Sequence, residues 1–347
     1  MHGIRSPASP AMQRAAPLMQ LPPLLTALGV DLETVLDGTG IAANDFRPDS
    51  FVPFAACQDI LDRAAMLSGC DDLGLRLGRR QSLAMLGPVG EVMRHAATLG
   101  QALSDLVALQ LGNSSGAAVY LLRSANDVVL GYGVYDSGGH VSPQLYDLVL
   151  AAGQTVIAEL TEHAVAPAEL WSIRAAPKDL TPYRGLAQRP ILFGQSQTCL
   201  VLSAASMNFA LPSANRAVRE ELLARLAARL SSTPWGMETR VKHALRSLML
   251  QGRTTMSEMA RHLGMHPRSL RRALEREGTT FEAIKRDVRY AVARELLAVA
   301  SLPAADIGMT LNFATPSSFV HAFRRWSGVT PGMWRNHRKD DRLGVAI

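Results

Sequence analysis

Three guanidinium groups fall within five positions at Arg268, Arg271 and Arg272, with Ser269 among them and Leu270 and Leu274 four apart. On a helix the two leucines share one face, and the arginines and the serine lie on or near the opposite one. An arginine can offer two parallel donors to the major-groove edge of a guanine, worth about 1–3 kcal/mol of discrimination against the wrong base. The chemistry indicated is therefore recognition of a base edge and not bond making. One arginine-rich helix is more often a solvated face, so a second observation is needed.

That observation is a repeat. The apolar positions of Met259 to Leu263, a break at Gly264, and Pro267 to Leu274 recur about fifty residues later as Ile307 to Leu311, Asn312, and Pro316 to Phe323. Met259 matches Ile307, Leu263 matches Leu311, Leu270 matches Phe319, and Leu274 matches Phe323. Both copies close alike, as Gly278-Thr279-Thr280 and Gly328-Val329-Thr330. Two copies of helix, tight turn and apolar-anchored second helix describe a double helix-turn-helix, in which the start of each second helix meets base edges. The candidate DNA contacts are Arg268, Ser269, Arg271 and Arg272 in the first copy. In the second they are Ser317, Ser318 and His321, with Arg324 and Arg325 further along. By inventory the first copy supplies most base readout and the second leans on phosphate contacts, which position without specifying. A continuous helix over 281–299 would hold the two at a fixed separation, and reading helices on one face of B-DNA sit roughly 34 Å apart.

Charge agrees with this division. The 347 residues carry a net charge of +6. From residue 231 onward Lys and Arg outnumber Asp and Glu by 19 to 10, whereas the preceding residues hold 17 against 20. Only the later part is suited to a polyanion. Cys57, Cys70 and Cys199 are too few and scattered for a disulfide framework, which fits a reducing cytoplasm. None has a local cation or histidine to make a thiolate. His262 and His266 are four apart but straddle Gly264 with no Glu between them, so no metal is expected there. With no nucleophile elbow or phosphate loop either, neither an enzyme nor a cofactor is expected, and no run of apolar residues is long enough to span a membrane.

The elements ahead of the repeat read as helices with a small sheet. A flexible tail is expected over 1–20, an α+β regulatory domain over 21–213, a linker helix and linker over 214–236, an all-α domain with two helix-turn-helix units over 237–338, and a C-terminal tail over 339–347. Alternation at 117–122 and 128–134 around Ser124 to Asp127 predicts a hairpin. Leu145 to Leu160 predicts a buried helix; 170–174, 198–202 and a short 191–194 predict strands. The helix over 217–230 reads either as packed on the preceding domain or as a dimerisation helix, for which its heptads are few.

From Val241 to Arg338 the chain resembles the AraC/XylS family of bacterial transcription regulators. The most specific part runs from Ala305-Asp306-Ile307 to Phe313 and from Ser318 through Arg325-Trp326-Ser327-Gly328-Val329-Thr330-Pro331 to Trp334-Arg335. The resemblance implies a seven-helix domain that binds promoter DNA, usually as an activator. Asn312 stands where the family usually has glycine, but Asn tolerates a left-handed backbone better than most residues. His321 replaces a longer side chain. Residues 21 to 215 look like the arabinose-binding-like effector domain of one branch, through Asp72-Leu73-Gly74-Leu75-Arg76-Leu77-Gly78, Leu86-Gly87-Pro88-Val89-Gly90, Leu180-Thr181-Pro182-Tyr183 and Phe193-Gly194.

The resemblance implies a regulator of a small-metabolite or amino-acid catabolic operon that binds double-stranded promoter DNA, and a cytoplasmic, nucleoid-associated location is expected. A small-molecule effector, a homodimer and, for an activator, RNA polymerase are the implied partners. The alternatives are an N-terminal domain that binds a protein, and an enzyme fused to a DNA-binding module. Tyr120, Tyr132, Tyr135, His140, Tyr146, Trp171, Arg174, Tyr183 and Arg184 could line an effector pocket, but aromatics between strands are more often core, and no effector residue is assigned.

Overall fold

The computed structural model describes residues 10–123, 126–135, 141–231, 236–250, 252–299 and 302–336. The turn residues Ser124 and Ala125, His140, the linker residues Ser232 to Trp235, and both ends (1–9 and 337–347) lie outside the described residues.

The segment expected as the end of a flexible tail is packed. Strand β1 (Met12–Arg14) pairs antiparallel with β2 (Phe51–Pro53), and Ala15 and Leu18 behind it are buried. The charge and prolines of this stretch imitate a linker. Arg14, however, is only 6% exposed and its Nη2 holds Asp49 at 2.8 Å, while Pro17 opens a short 3-10 turn at Ala16–Leu18.

Helices α1 (Leu21–Ala27), α2 (Leu32–Leu36), α3 (Phe54–Ser68), α4 (Leu73–Arg79), α5 (Pro88–Arg94) and α6 (Leu99–Leu109) follow. The hairpin forms as β3 (Ala117–Arg123) and β4 (Asp127–Val134), with Ala117 opposite Val134 and Arg123 opposite Val128. With β5 (Glu169–Trp171) and β6 (Thr198–Ser203) it makes a four-stranded antiparallel sheet in the order β3-β4-β6-β5. Residues 191–194 do not make the further strand expected there. Leu192 forms only an isolated bridge to Trp171, because Pro190 lacks an N–H for a ladder and Gly194 turns the chain away at φ +67°.

Helix α7 (Pro143–Leu160) begins at Ser142, whose Oγ accepts from Gln144 N at 3.1 Å. It packs on α4 at very short range, because a Cβ at Gly74 or Gly78 would run into the carbonyls of Gln144 and Leu148. The Asp72–Gly78 motif therefore has a packing role. Helix α8 (Arg216–Ser231) lies on the region before it: Leu226 is buried, and Arg219 grips Asp105 through two bonds of 2.9 and 2.7 Å.

The remainder is helical: α9 (Met237–Leu250), α10 (Met256–His262), α11 (Pro267–Arg276), α12 (Phe281–Val299), α13 (Ala304–Thr310) and α14 (Pro316–Ser327). The fold class is thus the expected one, an α+β region followed by an all-α one. Among the described residues no helix is long and apolar enough to cross a membrane. One apolar cluster runs without a break from Leu21, Ile60 and Tyr146 through Val241 and Leu245 to Ile307 and Phe323. The two regions therefore share a core.

Candidate functional site

In the first helix-turn-helix, α10 starts with a reciprocal cap. Thr255 Oγ1 accepts from Glu258 N at 3.2 Å and Glu258 Oε2 accepts from Thr255 N at 2.9 Å, an arrangement that satisfies two helix-end donors at once. The turn passes through Gly264 at φ +66°, where a side chain would be strained. Helix α11 then opens on Pro267 with His266 as its cap, the imidazole Nδ1 accepting from Arg268 N at 3.2 Å. His266 therefore serves the helix start. Leu270 and Leu274 are buried, whereas Arg268, Ser269, Arg271 and Arg272 are all exposed. At the far end Glu277 accepts from the N–H groups of Met237 and Glu238, at 2.6 and 2.8 Å, tying the end of α11 to the start of α9.

The second unit repeats this geometry with different chemistry. Asn312 takes the place of Gly264 at φ +58° and donates from Nδ2 to Met249 O at 2.5 Å. Its left-handed turn survives the loss of glycine, as the sequence predicts. Phe319 and Phe323 are buried where the first unit has leucines. They sit among Phe313, Tyr290, Trp326 and Trp334, with ring centroids 5.5 to 6.1 Å apart. Ser317, His321, Arg324 and Arg325 are exposed. Ser318 is different, because its Oγ accepts from Thr315 N at 3.2 Å and donates to Thr315 O at 2.7 Å. The Ser318 hydroxyl, expected among the DNA contacts, thus also caps α14.

The closing triplets explain themselves as caps. Thr280 Oγ1 accepts from Ala283 N and Thr330 Oγ1 from Met333 N, at 3.2 and 3.3 Å. The Trp-Arg pair beyond them is structural too, since Arg335 donates to Leu297 O and Leu302 O at 3.4 and 2.6 Å near the end of α12. Helix α12 is 19 residues long, about 28 Å at the usual rise.

The two regions meet around a buried charge. Glu295 of α12 accepts at Oε1 from Tyr146 Oη of α7 (2.5 Å) and Val134 N of β4 (3.3 Å), and its Oε2 pairs with Arg246 Nη2 of α9 at 3.3 Å. Glu295 and Arg246 are each 1% exposed. Burial raises the Glu295 carboxyl above its usual range, the Arg246 charge opposing. A Cβ at Gly133 would collide with the Arg246 guanidinium, so a side chain there would displace the arginine from its place beside β4. Nearby, Tyr135 Oη lies 3.3 Å from His243 Nδ1, and burial pushes that imidazole down to about 4.

A cavity of about 160 Å³ lies between the sheet, α3, α6 and α7. Of the nine aromatic and polar residues that the sequence offers as pocket candidates, only Tyr132 lines it among the described residues. Tyr146 is held by Glu295. Tyr183 and Arg174 hold the buried Asp147, Trp171 bonds Glu169, and Tyr120 bonds Gln197. Aliphatic side chains make the walls, and at helical spacing these are indistinguishable from core. Burial pushes the thiols of Cys57 and Cys199 up to about 12 and, with Asp72 beside it, that of Cys70 up to about 11, opposite to what a nucleophilic thiolate needs. Among the described residues no group of three or more His, Cys, Asp and Glu side chains could hold a metal ion.

Comparison with known proteins covers both regions. Residues 29–211 match the family described as the arabinose-binding domain of AraC transcription regulators, N-terminal, and residues 259–337 match a helix-turn-helix domain family. The chain is 28% identical over 327 residues to the HTH-type transcriptional regulator VirS of Mycobacterium tuberculosis, spanning 93% of this chain and 96% of that one. It is 26% identical over 338 residues to the ornithine utilization regulator of Pseudomonas aeruginosa, spanning 90% and 93%. Against the HTH-type transcriptional regulator VqsM of the same species it is 27% identical over 279 residues, spanning 76% and 83%.

Proposed function

The chain belongs to the AraC family of transcription regulators, and from that premise we propose that it binds promoter DNA sequence-specifically and activates a small-metabolite or amino-acid catabolic operon under the control of an effector. The observation that carries this is α11, whose Arg268, Ser269, Arg271 and Arg272 are exposed together on a helix locked by Leu270 and Leu274 at 0% and 1% exposure. Arg271 and Arg272, with Arg268, read base edges; Arg324 and Arg325 of α14 hold phosphates, with Ser317 and His321 as lesser contacts. The name of one relative, a regulator of ornithine utilization, supports the catabolic assignment. A regulatory region to about residue 213, a joining segment over 214–236 and a DNA-binding region over 237–338 then act as one cytoplasmic homodimer that engages RNA polymerase.

Effector control runs through Glu295. The joining helix α8 is packed on the regulatory region through Arg219 and Leu226, so the regulatory region reaches the DNA-binding helices through direct contacts, among them the carboxylate shared by β4, α7 and α9. A buried ion pair is weak evidence for stability and better attested as a specificity device. Coupling of this kind is typically about 1–3 kcal/mol.

The test is recovery of genomic fragments bound by the purified full-length protein, followed by titration of the neighbouring operon's metabolites. Direct-repeat half-sites beside a catabolic or transport operon, with a metabolite that shifts operator affinity, are expected. Binding that is sequence-independent and lost with salt would overturn the assignment. Glu295→Gln should leave half-site sequence unchanged while uncoupling operator affinity from the metabolite.

A further inference from the structure

We propose that the cavity between the sheet and α7 is the effector site and that it takes a compact, mostly apolar molecule of about benzene-to-indole size carrying one hydrogen-bond acceptor. This rests on the preceding assignment of effector control and names the chemical class of the effector.

Size comes first. The space of about 160 Å³ is close to the roughly 150 Å³ of an engineered protein cavity that stays dry and takes benzene. Its walls are side chains such as Phe54, Leu61, Leu103, Leu130, Leu148 and Val156, which offer nothing to hydroxyls. A sugar placed here would exchange water for hydrocarbon at nearly every oxygen, an unfavourable transfer.

The polar groups at the wall narrow the choice further. Gln110 spends both ends of its amide on the Val119 backbone, at 2.5 and 2.6 Å. Thr198 Oγ1 accepts from Ile173 N at 3.3 Å, Ser114 Oγ from Gly116 N at 3.3 Å, and Gln58 Oε1 from Ser142 N at 3.0 Å. Asn113 Nδ2 is buried and has no partner among the described residues. It belongs to one end of the cavity, because Asn113 O accepts from Arg14 N at 2.8 Å and both residues line the space. An unsatisfied donor at the end of an apolar cavity calls for an acceptor on the ligand: a ketone, ester or carboxylate oxygen.

The same two elements that clasp the cavity hold the carboxylate between the regions. Leu130 and Tyr132 of β4 and Leu145 and Leu148 of α7 line the space, while Val134 of β4 and Tyr146 of α7 both reach Glu295 Oε1. A molecule wedged between β4 and α7 alters the spacing of two donors that must converge on one oxygen.

The experiment uses the full-length protein and a shape-matched pair of probes, acetophenone and isopropylbenzene, with L-arabinose and L-ornithine as polar contrasts. Binding is followed by calorimetry and by thermal shift. Acetophenone should bind about tenfold tighter than isopropylbenzene, the ratio expected of one added hydrogen bond, and the sugar and amino acid should not compete. Asn113→Leu should bring the two aromatics to parity. Val149→Phe, which fills the cavity from α7, should exclude both; if that variant fails to fold, the Asn113→Leu ratio alone decides. L-arabinose binding that Val149→Phe abolishes would overturn the apolar class and leave effector control intact. Aromatic probes that bind wild type and both variants equally would overturn the site. A metabolite that shifts operator affinity without displacing acetophenone would keep effector control and place the effector elsewhere.

Discussion

The two helix-turn-helix units share a backbone design and divide in what they spend their side chains on. In the first, two leucines anchor a helix whose exposed face carries three arginines; in the second, six aromatic rings anchor a helix whose matching positions are Ser317, Val320 and His321. Position by position, Arg268 faces Ser317, Arg271 faces Val320, and Arg272 faces His321. Only in its last turn does the second helix become basic, at Arg324 and Arg325, where the first has Glu275 and Arg276. The lesson is that duplication preserves the core positions, the left-handed turn and the closing threonine caps, because the fold requires them, while the helix-start caps and the exposed surface are free to diverge.

The comparison breaks most readily at its anchors. Phe323→Ala should cost about 3–5 kcal/mol and Leu270→Ala about 2–5 kcal/mol, measured by urea unfolding. The aromatic variant should retain the base preference of whatever operator binding remains, whereas the leucine variant should lose it. Identical losses of preference would erase the distinction between the units.

At the turns the effect is smaller. Gly264→Ala and Asn312→Ala should each destabilise by about 1 kcal/mol, since both positions lie in the left-handed region. Asn312→Gly should cost only the bond from Nδ2 to Met249 O. A neutral Gly264→Ala would mean that the first turn is not held at its positive φ.

Smallest is the response to pH. His243 lies on α9, beside the first unit, and its folded value is pushed down to about 4 from an ordinary 6.5, first by burial and then by His262. Below 6.5 the unfolded chain takes up a proton that the folded one refuses. Stability is therefore complete above that pH and falls as pH drops towards about 4. Urea midpoints across this window should decline and His243→Gln should flatten the decline. A decline of undiminished slope in His243→Gln would contradict the assignment.

Much of this architecture is legible in the sequence because local rules govern it. The hairpin, α7, the long α12 and both turns follow from period, caps and backbone tolerance, and the left-handed Asn312 is the clearest instance. What is not legible depends on contacts between distant parts. Arg14 looks like a tail residue until Asp49 and the β1–β2 pairing are seen. The cap that Ser318 makes with Thr315 is likewise not evident from the DNA-contact pattern. The cavity is written in leucines and valines that read as core, and Glu295 is one acid in an amphipathic helix until Tyr146, Val134 and Arg246 converge on it from three other elements. The motif at Asp72–Gly78 is visible, but that its glycines serve the approach of α7 is not.

The central claim is that the first unit specifies and the second positions. The most direct measurement is operator binding by Arg271→Ala and Arg325→Ala, each against a library of single-base operator variants and across a salt series. Arg271→Ala should lose about 1–3 kcal/mol and relax preference at one base pair. Arg325→Ala should weaken all sequences alike and reduce the salt slope by about one contact. A base-specific loss from Arg325→Ala together with a uniform one from Arg271→Ala would contradict the account.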